Sequence, residues 1–223
     1  MSTITSRLLE IRKRLPDSVT LVAVSKFHPV EALREAYEAG QRDFGESRAQ
    51  ELSAKAPEMP SDVRWHFIGH LQTNKVRQVM PHVSLIHSID SLRLLRTVDA
   101  EAARAGRVAD VLLQVHVAKE ETKFGFTPDE LSVLAAEWKP GDTPNVRVRG
   151  LMGMASLTDD TNRIAADFTA VAQAYDRLKS GLFAGQSSFD TLSMGMSDDF
   201  ALAIAAGSTM VRIGTDIFGA REY

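Results

Sequence analysis

Strand-like and helix-forming segments alternate along this chain eight times, and that pattern restricts its possible folds more than any single motif does. Short apolar runs bounded by turn residues predict strands at 21–25, 43–45, 65–68, 83–88, 110–117, 146–151, 191–194 and 210–213. Helix formers between them predict helices at 30–39, 46–56, 73–80, 91–105, 128–137, 161–179 and 198–206. Gly40, Gly106 and Gly207 supply the left-handed residue that closes a helix, and Pro57 and Pro81 cannot continue one. Such alternation demands a parallel sheet covered by helices, and eight units point to a closed (β/α)8 TIM barrel. The competing architecture is an open doubly wound sheet of six or seven strands with 43–45 as loop. No G-x-G-x-x-G follows the first strand to support it. Ile4, Leu8, Ile11 and Leu15 recur at helical spacing among Arg7, Arg12, Lys13 and Arg14, predicting a leading helix in 1–18 packed on one domain spanning 1–223.

Composition narrows the function classes. A net charge of −3 gives no basic field, which argues against nucleic acid as partner. No apolar run approaches the roughly 18 residues of a membrane span. With no cysteine, disulfides, thiolate metal sites and cysteine nucleophiles are excluded. The expectation is a cytoplasmic protein, a monomer, with no membrane association.

Within that frame, Lys26 ends the run Thr20-Leu-Val-Ala-Val-Ser-Lys26 just before Phe27-His28-Pro29. A lysine at the carboxyl edge of a barrel strand enters a crowded, partly dry pocket, which disfavours its charged form and suits a Schiff-base amine. The plainer alternative is a lysine snorkelling into water. Barrels of this kind bind phosphate in the loops after strands seven and eight. After strand seven comes Ser193-Met194-Gly195-Met196-Ser197, where Gly195 permits close backbone approach and Ser197 reads as an N-cap for the helix at 198–206. On strand eight, Met210, Arg212 and Gly214 share a face by alternation, and a barrel-facing arginine must be paired. A phosphate would pair it; Glu46 or Asp216 are the alternatives. Lys75, Lys119 and Lys123 are rival amines. His66 and His70 lack metal-ligand spacing, His87 and His116 read as hydrogen-bonded core or rim groups, and no metal site is expected. Met152, Met154, Met194 and Met196 read as core fillers or pocket walls.

These segments together resemble a known family. Val22-Ala-Val-Ser-Lys26, Phe44-Gly-Glu46, Trp65-His-Phe-Ile-Gly69 with Leu71-Gln72 and Asn74-Lys75, Gly150-Leu-Met152, Ser193-Met-Gly-Met-Ser197 and Gly207-Ser-Thr-Met-Val-Arg-Ile-Gly214 stand in the order and spacing of the pyridoxal 5′-phosphate homeostasis proteins. The resemblance implies a barrel similar to the alanine racemase N-terminal domain, with pyridoxal phosphate as an aldimine on Lys26. It implies Ser197, Arg212 and Gly214 at the phosphate, and Ser47, His66, Met194, Gly195, Thr209 and the Gly-Glu46 segment around the pocket. The family usually reads Phe-Gly-Glu-Asn, with the asparagine near the cofactor ring; Ser47 stands here, a shorter group able to donate one hydrogen bond. The implied function is non-catalytic holding of the cofactor and other B6 vitamers in vitamin B6 homeostasis, with hand-over to pyridoxal-phosphate-dependent apoenzymes as an extension. A similar racemase needs a second base, a tyrosine from an added β domain, which the nine residues from Thr215 to Tyr223 are not expected to supply. A minimal amino-acid racemase and a Schiff-base aldolase are the enzymatic alternatives.

Overall fold

The computed structural model describes residues 3–118 and 124–220. After the leading helix α1 (Thr3–Lys13) come β1 (Thr20–Val24), α2 (Val30–Glu38), β2 (Asp43–Glu46), α3 (Ala49–Lys55) and β3 (Arg64–Phe67). A 3₁₀ turn at Thr73–Lys75 leads into α4 (Val76–Val79), followed by β4 (Val83–Ile89), α5 (Leu92–Arg104), β5 (Ala109–Val115) and α6 (Pro128–Glu137). The chain finishes with β6 (Val146–Gly153), α7 (Thr161–Ser180), β7 (Thr191–Ser193), α8 (Phe200–Ala205), β8 (Met210–Ile213) and α9 (Thr215–Phe218). All eight strands pair in parallel in chain order, and β8 closes onto β1 with Thr20 opposite Met210 and Val22 opposite Arg212. The expected (β/α)8 barrel is therefore the fold, and 43–45 is strand rather than loop.

Period-two alternation divides the apolar residues into two layers. Leu21, Ala23, Phe44, Ile86, Leu113, Leu151 and Val211 point outward into the layer beneath the helices. Val22, Leu85, Leu112, Met152 and Met210 point inward and fill the barrel axis as a separate cluster. Leu8 and Ile11 bury the apolar stripe of α1 in the outer layer. Among the described residues, no helix is long and apolar enough to cross a membrane.

Several boundaries differ from the sequence expectation, and two of them bear on the site. Glu46, expected to start a helix, is the last residue of β2, since its carbonyl accepts from Ile68 N–H beyond β3 at 2.9 Å. The helix expected from Asp198 begins at Phe200, leaving Ser197 in a turn rather than at an N-cap. There the Asp199 carboxylate accepts from Met196 N–H at 2.6 Å.

The turn that carries Lys26 is held from below by a buried ion cluster. β1 ends at Val24, and Ser25 N–H still bonds Gly45 carbonyl at 3.0 Å before the chain turns. Phe27 then adopts φ 68°, a conformation costly for a non-glycine residue. Glu51 secures it by accepting Phe27 N–H at 2.8 Å, while Lys55 Nζ donates to Ser25 carbonyl at 3.0 Å, Glu46 at 2.8 Å and Glu51 at 3.0 Å. Ser25 Oγ donates to Glu46 at 2.7 Å. Burial raises the Glu46 pKa, and the adjacent Lys55 charge and its hydrogen bond oppose that rise.

Removing Lys55 strands a buried carboxylate, so Lys55→Met should cost about 3 kcal/mol at pH 7 in urea unfolding. Glu46 then favours its protonated form in the fold, so the deficit should shrink as pH falls toward the unfolded glutamate value of about 4.3. A deficit independent of pH would contradict this assignment. A second test concerns packing: a Cβ at Gly150, where φ is 150°, would lie 1.7 Å from the Thr191 carbonyl oxygen, whereas one at Gly141 meets nothing within 4 Å. Gly150→Ala should therefore destabilise by about 3 kcal/mol or more, and Gly141→Ala by no more than about 0.5 kcal/mol, in the same unfolding assay.

Candidate functional site

The carboxyl ends of β1, β2, β3, β6, β7 and β8 surround a cavity of about 280 Å³. Lys26 enters from the β1 turn, two residues beyond inward-facing Val24, and is half-buried. Ser47 follows β2, held close to the β3 exit because Gly69 lacks a side chain: a Cβ there would fall 2.2 Å from the Ser47 carbonyl oxygen. Ser197, Arg212 and Gly214 complete the expected set on this wall. Gly214 lets β8 and β1 converge, since an added Cβ would stand 3.1 Å from Val24 Cβ and its carbonyl oxygen. Lys26, Ser47, Ser197, Arg212 and Gly214 thus line one cavity, although they come from both ends of the chain.

Arg212 dominates the electrostatics. Its Nη1 donates to Ser193 carbonyl at 2.9 Å and Ser193 Oγ at 2.7 Å, and Nη2 donates to Gly153 carbonyl at 3.2 Å. No carboxylate among the described residues pairs with it directly, neither Glu46 nor Asp216. Burial lowers its pKa to about 10, partly offset by the more distant Asp199 charge, so it remains a cation at neutral pH. A guanidinium has five N–H groups. Three are engaged by Ser193 and Gly153, leaving two that no described residue accepts. A buried cation with no directly paired carboxylate, on a cavity wall, is an anion-binding feature.

Other expected pocket residues lie elsewhere. Thr209 is at the amino end of β8, where its hydroxyl accepts Leu192 N–H at 2.8 Å, on the opposite side of the barrel from the cavity. Met194 is buried in the outer core, and Gly195, at φ 94°, provides room against Phe200 and Ala203 rather than facing the cavity. His66 lies deeper in the barrel, with Nε2 3.0 Å from Asp43 and Nδ1 2.8 Å from His87. Glu46 belongs to the ion cluster under the Lys26 turn. Lys75 does not line the cavity, and Lys119 and Lys123 lie outside the described residues.

The cavity also recruits Val24, His28, Ile68, Met154, Met196, Asp198 and Thr215. Met154 and Met196 are thus pocket walls, one of the two roles read for them in the sequence; the signal for the others was adjacency, each lying within two residues of a recognised site residue. His28 stacks on Phe218 of α9, with ring centroids 5.0 Å apart, and so ties the Lys26 turn to the β8 exit.

The chain has relatives of known sequence and structure along nearly its whole length. The family model described as "Alanine racemase, N-terminal domain" matches residues 1–222. Proteins named pyridoxal phosphate homeostasis protein are similar along nearly the whole chain: that of Pseudomonas aeruginosa is 40% identical over all of this chain and 98% of its own length. That of Escherichia coli K12 is 42% identical over 94% of this chain and 89% of its own length. PipY of Synechococcus elongatus, solved with pyridoxal phosphate bound, superimposes with a TM-score of 0.88 at 41% identity over 97% of this chain and all of its own. An alanine racemase of Clostridium difficile shares the barrel alone, at a TM-score of 0.77 and 13% identity over 99% of this chain and 57% of its own. Built on an alanine racemase N-terminal-type barrel and alike over nearly its full length, the chain belongs to the pyridoxal phosphate homeostasis protein family.

Proposed function

We propose that this protein holds pyridoxal 5′-phosphate on Lys26 and serves in vitamin B6 homeostasis without turnover of its own. The observation that carries the reading is the convergence of a half-buried lysine and a buried, carboxylate-free arginine on one cavity. At about 280 Å³, that cavity lies just below the roughly 300–1,000 Å³ typical of small-molecule sites and suits one small cofactor rather than a dinucleotide. Bound pyridoxal phosphate supplies an electrophilic aldehyde and a dianionic phosphate. Lys26 would hold the cofactor through Nζ, the amine nucleophile suited to that aldehyde, with one water lost on condensation. Ser197 and the Gly214 backbone hold the phosphate, and Arg212 adds positive charge to the same wall. Ser47 and Ile68, which line the same cavity, would flank the cofactor.

The non-catalytic part is supported by the names of the full-length relatives, which state homeostasis and no reaction. The tyrosines among the described residues are committed elsewhere: Tyr37 hydroxyl donates to Asp62 and Tyr175 hydroxyl to Phe189 carbonyl. The same reading extends to a cytoplasmic monomer that passes the cofactor, and related vitamers, to apoenzymes. Transfer faster than release into buffer would support direct hand-over, and equal rates would refute it.

Purified protein mixed with pyridoxal phosphate should develop a visible absorption band that borohydride removes irreversibly, with the added mass retained on the Lys26 peptide. Lys26→Ala should abolish both; a label on another lysine would overturn the assignment. Ser197→Ala and Arg212→Gln should weaken pyridoxal phosphate about 10-fold or more while leaving phosphate-free pyridoxal nearly unchanged, as expected for hydrogen bonds to a charged group. Amino-acid inversion above a heat-killed control would overturn the non-catalytic part. His28 and Asp198, the other titratable groups lining the cavity, would then be the first to substitute.

A further inference from the structure

A line of polar side chains crosses the barrel interior, and the proposed binding site uses only its last member. It starts on the amino-terminal face at Asp43, the first residue of β2, whose carboxylate accepts from Arg64 Nε at 2.7 Å. It continues through His66 on β3, His87 on β4 and Ser193 on β7, and ends at Arg212 in the cavity wall. The separations are 3.0 Å from Asp43 to His66 Nε2, 2.8 Å from His66 Nδ1 to His87 Nε2, 3.2 Å from His87 Nδ1 to Ser193 Oγ, and 2.7 Å from Ser193 Oγ to Arg212 Nη1. All five side chains point inward by strand parity, alternating with outward Phe44, Trp65, Ile86, Leu192 and Val211.

The chemistry of the two ends fixes the direction of the bonds between them. Arg212 can only donate, and an ionised Asp43 can only accept. Burial would raise the Asp43 carboxyl, but hydrogen bonds from His66 and Arg64 outweigh it and hold its pKa at about 2. His66 therefore presents Nε2–H to Asp43 and, when neutral, a bare Nδ1 to His87. His87 answers with Nε2–H and turns a bare Nδ1 to Ser193, whose hydroxyl donates to it and accepts from Arg212. Arg212, Ser193, His87 and His66 then each donate to the next member in the same direction, and Asp43 accepts the last bond. Burial, together with the nearby Arg212 charge, pushes the His87 pKa well down, which agrees with a neutral ring.

We propose that His66, His87 and Ser193 are positioning residues for Arg212, forming a one-way hydrogen-bond chain that anchors the guanidinium to the Asp43 carboxylate across the barrel. The charged groups facing the imidazoles are Asp43 from β2, Arg64 through Asp43, and Arg212 from β8. An added proton on the pair would turn a His87 Nδ1–H toward Ser193, deprive the serine hydroxyl of its acceptor and place a second buried cation beside Arg212. The consequence for ligand affinity rests on the cofactor-binding reading above; the polarity of the chain does not.

Long-range ¹H–¹⁵N spectra of the full-length protein without cofactor separate the two. At pH 7 His66 and His87 should both appear as neutral Nε2–H tautomers, and Arg212 Nη hydrogens should exchange slowly. His87→Phe should speed that exchange at least 10-fold, and His87→Asn, whose Oδ1 can replace the Nδ1 acceptor, should restore most of the protection. Ser193→Ala should reproduce the loss without removing a histidine. An Nδ1–H tautomer or a charged ring at pH 7, or unchanged Arg212 exchange in both His87→Phe and Ser193→Ala, would overturn the proposal. In the same variants, affinity for pyridoxal phosphate measured by absorbance should fall about 10-fold with partial rescue in His87→Asn. Wild-type protein that takes up no cofactor would refute the binding reading while the spectra still decide the chain.

Discussion

Closure of β8 onto β1 is the interaction on which the rest of this molecule depends. The four parallel pairs from Thr20–Met210 to Ala23–Ile213 convert an open ribbon of strands into a ring without an edge. The same closure sets Arg212 level with Val22 and brings Gly214 against Val24, so the Lys26 turn and the β8 exit share one cavity. Neither segment could form that cavity alone. The amine comes from near the amino terminus and the guanidinium from near the carboxyl terminus, and only the completed ring fixes their separation.

Stability and function make opposite demands on the barrel interior. Filling it with apolar side chains stabilises by roughly 1.5–3 kcal/mol per residue. The cluster of Val22, Leu85, Leu112, Met152 and Met210 does this across part of the cross-section. The remainder is given to Asp43, His66, His87, Ser193 and Arg212, polar groups that gain little net stability even when every bond is made. Lys55 and Glu46 repeat the pattern outside the axis, where a buried ion pair secures the strained turn at Phe27. In both places polar groups are sunk into the fold to hold one side chain of the cavity in place.

The comparison with an alanine racemase shows that the barrel frame does not depend on these particular side chains. At 13% identity the barrel is retained while the side chains around it have been almost wholly replaced. Here the cavity walls are loop and strand-end residues, which can change without disturbing the outer core of Phe44, Phe67, Ile86 and Leu113.

Local chemistry determined much of this protein. Period-two apolar runs and glycine or proline stops were enough to read eight strands, because each signal lies within a few neighbouring residues. Lys26, Ser197, Arg212 and Gly214 were legible for a related reason: they lie at or near strand exits, which a barrel gathers on one face, whereas Ser47 was reached only through the family resemblance. Tertiary structure alone decided that Glu46 is strand and that Thr209 lies at the far end of the barrel. It alone joined His66 to His87 and both to Arg212 through Ser193, and it buried Lys55 between Glu46 and Glu51. Parity in the sequence turns those side chains inward, but hydrogen-bond partners are chosen by strands far apart in the chain, and their register exists only after closure.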